Sequence, residues 1–224
     1  MEPVDTRENL ILAAERLFAE KGIDNVSLRE INRAAGQKNV AALHYHFGTR
    51  EALLEAIFER RMAGINRRRV AMLDALEAAG PVTDLRPVVA AMVTPLSEQL
   101  APAARGGNYV RFLAQAISDP AVDVGGLVRD KFDHGMARTR QLLRDLLADL
   151  PPPVVEQRIR HAVAYFVHAL ADKARRDGSG RSKGHFGGTD LFVANLIDSI
   201  SGALRAPVSE ETLHLLAEDG RKIA

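Results

Sequence analysis

The side chains between Lys38 and Gly48 are of types that contact a nucleic acid. On a helical wheel, Lys38, Ala41, Ala42 and Tyr45 share one side, with His44 and His46 at its flanks. Val40, Leu43 and Phe47 fall on the other side, at steps of three and four, and give the helix a face to bury. A small, polar and basic front suits the major groove of a duplex. The alanines let the backbone approach and can pack a methyl on thymine, and Lys38, Asn39, His44 and Tyr45 can reach base edges or nearby backbone. Arg29, His46, Gly48 and Arg50 are candidates for holding phosphates, and Ser27 completes the candidate DNA-contact set. The same pattern also occurs as plain packing in all-helical proteins, so the surrounding elements have to be weighed with it.

Those elements are legible. Ser27 stands where an N-cap belongs and Glu30 follows three residues later, as in a capping box. Leu28, Ile31 and Ala35 keep helical spacing, and Gly36 supplies the positive φ of a sharp reversal. Asn39 is a plausible cap for the next helix, expected near Asn39–His46. A capped helix then begins at Thr49-Arg50-Glu51, and its N-terminal amides could hold a phosphate. Upstream, Leu10, Ile11, Ala14, Leu17 and Phe18 form one stripe on a helix from Thr6 to Lys21, closed by Gly22. That helix should brace the helix-turn-helix from behind.

The run from Thr6 to Glu59 resembles the N-terminal domain of TetR/AcrR-type transcriptional regulators. The matching pieces are AAERLFAEKGIDNVSLREINRAAG, the Tyr45-His46-Phe47 triplet, and GTREALLEAIF. The resemblance covers about a quarter of the chain. It departs near Gln37-Lys38-Asn39, where one extra residue shifts the start of the recognition helix. The resemblance implies a palindromic double-stranded DNA operator, a homodimer, and a small-molecule effector that changes the spacing of the two recognition helices and releases the DNA.

Charge does not argue against this. The formal net charge of the 224 residues is only +1. From Ser27 to Arg69, however, Arg29, Arg33, Lys38, Arg50, Arg60, Arg61, Arg67, Arg68 and Arg69 stand against four glutamates, which predicts a locally positive face. The absence of cysteine excludes disulfides and thiolate chemistry and suits a reducing cytoplasm. No signal peptide is expected from MEPVDTREN, and the most apolar run, Ala162 to Ala171, is too short to span a membrane.

The expected architecture is all-α. Residues 1–48 would form the helix-turn-helix DNA-binding domain and residues 49–224 a larger ligand-binding and dimerisation domain. A long helix from about Arg50 to Ala79, ended by Gly80-Pro81, joins them and can transmit a displacement. Further helices are expected at about Leu85–Leu100, Tyr109–Ser118, Gly126–Leu150, Val155–Arg176, Asp190–Leu204 and Ser209–Asp219. Met92, Phe112, Phe132, Met136, Tyr165 and Phe166 are candidate linings of an apolar cavity for an apolar or amphipathic effector, and each also reads as simple core. Two helices are apolar nearly all round, so each should be covered on both sides. Val163, Phe166, Val167 and Leu170 on one, with Phe192, Leu196 and Ile200 on the other, are candidate dimer contacts; a buried pair within the subunit is the alternative.

Motifs of catalysis are missing. His161 and His168 share a helix face and could form a metal site with His134 or His185, yet no carboxylate or histidine sits at i+4 to make a tight pair, so they read as core or interface histidines. The GSGRSKGH segment lacks the order of a phosphate loop and reads as a connector. No cofactor is expected. The rival reading is a helical carrier or enzyme that uses the C-terminal cavity and docks through its N-terminal domain.

Overall fold

The computed structural model describes residues 5–37, 39, 41–101, 106–128, 134–179 and 188–223. Lys38, Val40, Phe132 and His185 lie outside the described residues, as does most of the GSGRSKGH segment. Eleven α-helices and no strand are present among the described residues.

Helix α1 (Thr6–Lys21) begins at Asp5, whose carboxylate accepts from Arg7 N, and ends at Gly22 with φ 87°. Helices α2 (Leu28–Ala34) and α3 (Ala42–Phe47) form the turn-and-helix unit. Helix α4 (Arg50–Ala78) follows, with the Thr49 hydroxyl accepting from Ala52 N and Gly80 at φ 128° beyond its end. Helix α5 (Leu85–Ser97) runs into a 3-10 turn, Glu98–Leu100. Helices α6 (Gly107–Ser118), α7 (Val124–Val128) and α8 (His134–Leu146) come next, the last two falling where one helix is expected from about Gly126 to Leu150. Helix α9 (Pro152–Gly178) starts on prolines that need no amide partner in a first turn. The Pro151–Pro153 run therefore opens a helix as well as closing one. Helices α10 (Thr189–Arg205) and α11 (Glu210–Ile223) complete the chain.

One continuous buried cluster runs from Leu10 and Phe18 on α1, through Ile57 and Phe58 on α4, to Ile200 and Leu204 on α10. The two expected domains thus share a core. Its joint is aromatic: Phe18 stacks on Phe112 at 6.0 Å, and Phe58 packs against Phe112 at 5.3 Å and edge-on to Tyr109. Arg111 on α6 also donates to the Ala19 carbonyl of α1 at 3.1 Å. The small unit is consequently braced by α6 as well as by the α4 rod. Farther out, Arg158 on α9 donates to the carbonyls of Leu204 and Ala206, tying the end of α10 to α9.

Candidate nucleic-acid interface

Helix α2 is fixed at both ends. The Ser27 hydroxyl accepts from Glu30 N at 3.2 Å. The Glu30 carboxyl is held below the usual carboxylate range, first by the Lys21 ammonium hydrogen-bonded to it and further by the Ser27 backbone amide, which closes the capping box. At the other end Gly36, with φ 71°, donates to the Arg33 carbonyl and Gln37 to the Asn32 carbonyl, a paired termination that needs the glycine.

The recognition helix is shorter than its sequence pattern. It begins at Ala42, three residues after Asn39, because the Asn39 side chain accepts from Ala41 N and closes a turn of its own. Its orientation is set by Asn32, a residue the apolar pattern passes over. Asn32 is buried on α2, its amide donates to the Leu28 carbonyl, and its Oδ1 accepts from Leu43 N at 3.1 Å. This bond joins the two helices across the turn. A polar residue on an otherwise inward helix face was the signal for it.

The outward face follows. Ala41 and His44 are exposed, and Tyr45 is 85% exposed with His46 edge-on to its ring at 5.2 Å. Leu43 is buried, and Ala42 and Phe47 pack partly on the core, so Ala42 is turned further inward than the wheel suggested. His44 Nδ1 lies 3.0 Å from the Gly48 carbonyl oxygen, which settles that ring over the helix end. Ser27, Arg29, Arg33 and Asn39 are exposed alongside, and Gly48, at φ 72°, is half-buried.

The structure corrects the expected charge distribution. Arg50, a phosphate candidate by sequence, is turned inward: its guanidinium donates to the carbonyls of Ile23 and Val26 and lies 5.8 Å from the centre of the Phe18 ring. It braces the loop between α1 and α2. Arg60 is spent on Glu8, Arg68 on Glu98, and Arg69 is buried. Arg61 forms a two-bond pair with Glu15, both bonds at 2.9 Å and both side chains nearly excluded from water. Arg29 and Arg33 remain exposed on α2, and Arg7 of α1 lies 5.3 Å from the centre of the Phe47 ring.

A second site lies in the larger unit. A cavity of about 100 Å³ is lined by Phe58, Met62 and Ile65 of α4, Leu113 and Ile117 of α6, and Phe166 of α9, with α5, α7 and α8 closing it. Met136 and Phe166 are among its lining residues. Met92 and Phe112 are fully buried and are not among the lining residues; they are core. Tyr165 is 49% exposed and belongs to an outer groove with Arg158, His161 and Leu204.

The residues expected at a dimer contact are also redistributed. Phe166, Val167, Leu170, Leu196 and Ile200 are buried inside the subunit, and Val163 lines the cavity. Val163 and Phe192 are half-buried. The outer faces of α9 and α10 carry His161, Tyr165, His168 and Leu191 instead. Helices apolar nearly all round have two buriable faces, and the pattern does not say which one turns inward. His161 and His168 are thus surface residues of the subunit, His168 3.3 Å from the Ser118 hydroxyl. Among the described residues no group of three metal-binding side chains comes together.

Comparison with known proteins matches two stretches of the chain. Residues 10–57 match the family model of bacterial regulatory proteins of the tetR family. Residues 90–203 match the model of the tetracyclin repressor-like C-terminal domain. The chain belongs to the tetR family. The first of these models describes bacterial regulatory proteins, and its span covers the helix-turn-helix of α2 and α3. The HTH-type transcriptional repressor AcnR of Corynebacterium efficiens is 36% identical over 56 residues, which is 25% of this chain and 29% of that one. The HTH-type transcriptional repressor NicS of Pseudomonas putida is 29% identical over 85 residues, 38% of this chain and 39% of the other. The chain matches under two-fifths of the length of either curated relative. A tetR-family structure from Shewanella sp. PV-4 superposes with a TM-score of 0.58 at 17% identity, over 88% of this chain and 98% of that one. The fatty acid degradation regulator FadR from Bacillus halodurans gives 0.53 at 16% identity, over 92% and 98%. At such identity the likeness speaks for the fold alone. Among the described residues of this regulator, no single helix is long and apolar enough to cross a membrane.

Proposed function

We propose that this tetR-family regulator is a cytoplasmic repressor that binds a palindromic DNA operator as a homodimer and is released from it by a small molecule. The observation that carries the reading is the outward face of α3. Its groups reach solvent from Ala41 through His44 to Tyr45 while Leu43 anchors the other side, and Arg29 and Arg33 flank it. A helix so mounted presents its polar side to base edges, and the arginines meet phosphates. The outer face of α9 and α10, with Tyr165 and Leu191 exposed, is the surface for the twofold contact. The cavity beside α4 is the effector site, since α4 continues from it into the DNA-reading unit.

Selection of bound duplexes from a random pool tests this directly. The expected product is an inverted repeat whose half-sites are about one helical turn or a multiple apart. Recovery of no enriched sequence, or of a single unrepeated half-site, overturns the dimeric operator.

A further inference from the structure

Resting on the proposed seating of α3 in a major groove, we infer that His44 reads an amino base, adenine or cytosine, in preference to a keto base, guanine or thymine, at one position of each half-site. The contact that decides this is made inside the protein. His44 Nδ1 lies 3.0 Å from the Gly48 carbonyl oxygen. A carbonyl oxygen only accepts, so Nδ1 carries the proton of the ring. In the neutral imidazole the other nitrogen, Nε2, then has a lone pair and no hydrogen. The two nitrogens lie on different edges of the ring, so that lone pair aims away from the Gly48 carbonyl. His44 is exposed on the same side of α3 as Ala41 and Tyr45.

An acceptor held in this way selects donors. In the major groove adenine offers its N6 amino group and cytosine its N4 amino group, whereas guanine presents N7 and O6 and thymine presents O4 and a methyl group. Every base pair carries one amino group, so the contact reports which strand bears it. Phosphate oxygens are acceptors and are repelled by the same lone pair. The surrounding side chains do other work. Arg29 and Arg33 only donate, and the Asn39 side-chain oxygen is already taken by Ala41 N at 2.9 Å, which leaves its amide hydrogens. The Tyr45 hydroxyl can donate or accept. His44 thus brings to this face a fixed acceptor that the arginines cannot supply.

The acceptor is also placed before DNA arrives. The bond to Gly48 restrains the ring, which lowers the ordering cost of the contact. Helix α3 itself is held by Asn32, whose Oδ1 accepts from Leu43 N, the residue before His44. Gly48 has φ 72°, so the carbonyl that anchors the ring stands in a backbone conformation that other residues rarely adopt.

The test selects bound duplexes from a random pool with the full-length protein, at mildly alkaline pH and constant salt, and repeats the selection with His44→Ala and His44→Arg. In the wild type, one position of each half-site should favour adenine or cytosine over guanine or thymine by about fivefold. His44→Ala should lose that preference there and keep the bases selected elsewhere, with an unchanged salt slope. His44→Arg should move the preference at that position to guanine, whose N7 and O6 suit a guanidinium. His44 is exposed, so both variants should unfold at the wild-type midpoint. The inference is overturned if His44→Ala leaves every selected base as it was, or if the preference it removes is for guanine or thymine. It is equally overturned if His44→Ala weakens all duplexes alike and makes the salt slope shallower by about one unit, which is the signature of a phosphate contact. An inverted repeat that is indifferent to His44 leaves the operator reading standing without this contact. A wild type that enriches no sequence overturns both.

Discussion

The two halves of α4 lie in different surroundings. Near its start, the polar side chains around it are committed to partners that fix the backbone: Arg50 to Ile23 and Val26, Arg61 to Glu15, and Asn32 to Leu43 across the adjacent turn. Farther along, most polar contacts are ion pairs open to water, such as Arg68–Glu98 and Arg138–Glu77, and the helix looks into a cavity. Buried partners hold a short helix at one angle, because any displacement leaves a desolvated group unsatisfied. Open ion pairs re-form in a new geometry at little cost, and a cavity gives walls room to move. A rigid reading face on a deformable chamber is the arrangement by which a bound molecule can tilt the whole face without deforming it.

The largest test of this contrast is Glu15. Glu15→Ala removes both bonds that the Arg61 guanidinium makes to this carboxylate, beside a Tyr109 hydroxyl that has no hydrogen-bond partner among the described residues. Burial pushes that hydroxyl well above the ordinary tyrosine range, and the Glu15 charge adds to the push. The expected loss is about 3–5 kcal/mol in denaturant unfolding. A change below 1 kcal/mol would erase the distinction between the two halves. Next is Asn32→Ala, with an expected loss of about 1–3 kcal/mol from the orphaned Leu43 amide, and weaker operator binding at unchanged helix content by circular dichroism.

Arg50→Ala sharpens the comparison by separating structure from contact. It should lower stability by about 1–3 kcal/mol, since two carbonyls lose a charged donor, while the salt dependence of operator affinity keeps its slope. A slope shallower by about one unit would return Arg50 to the phosphates. Tyr45→Ala should do the opposite, leaving stability within about 0.5 kcal/mol and lowering operator affinity roughly tenfold.

The smallest effect is acid sensitivity. Glu30, Glu77 and Glu156 are each held below the usual glutamate range, first by hydrogen bonds from Lys21, Arg138 and Arg144 respectively. Lowered folded-state values mean a contribution complete above the ordinary glutamate range and lost as pH falls through the lowered ones. All three are at the surface, so a pH titration of Tm should show only a shallow decline on acidification.

The helix-turn-helix was readable because its cues are local. Ser27, Gly36, Gly48 and Thr49 act on neighbours one to four residues away, and the structure finds each doing so. Leu43 inside and Tyr45 outside likewise follow from helical periodicity. What escaped depended on distant partners. Nothing beside Arg50 announces the carbonyls of Ile23 and Val26, and nothing beside Glu15 announces Arg61, 46 residues on. Tyr165 and Phe166 are adjacent and aromatic, yet one faces an outer groove and the other a cavity.

By itself, then, the order of residues determined the all-helical class, the caps and turn of the reading unit and the long connecting helix, since each depends on interactions within a turn or two of chain. Only the tertiary structure decided which arginines remain available to DNA, which face of α9 turns inward, and that two of the cations line a cavity. Those outcomes depend on which helices pack together, and the energy of a charge or an apolar face is set by the neighbours that remove it from water.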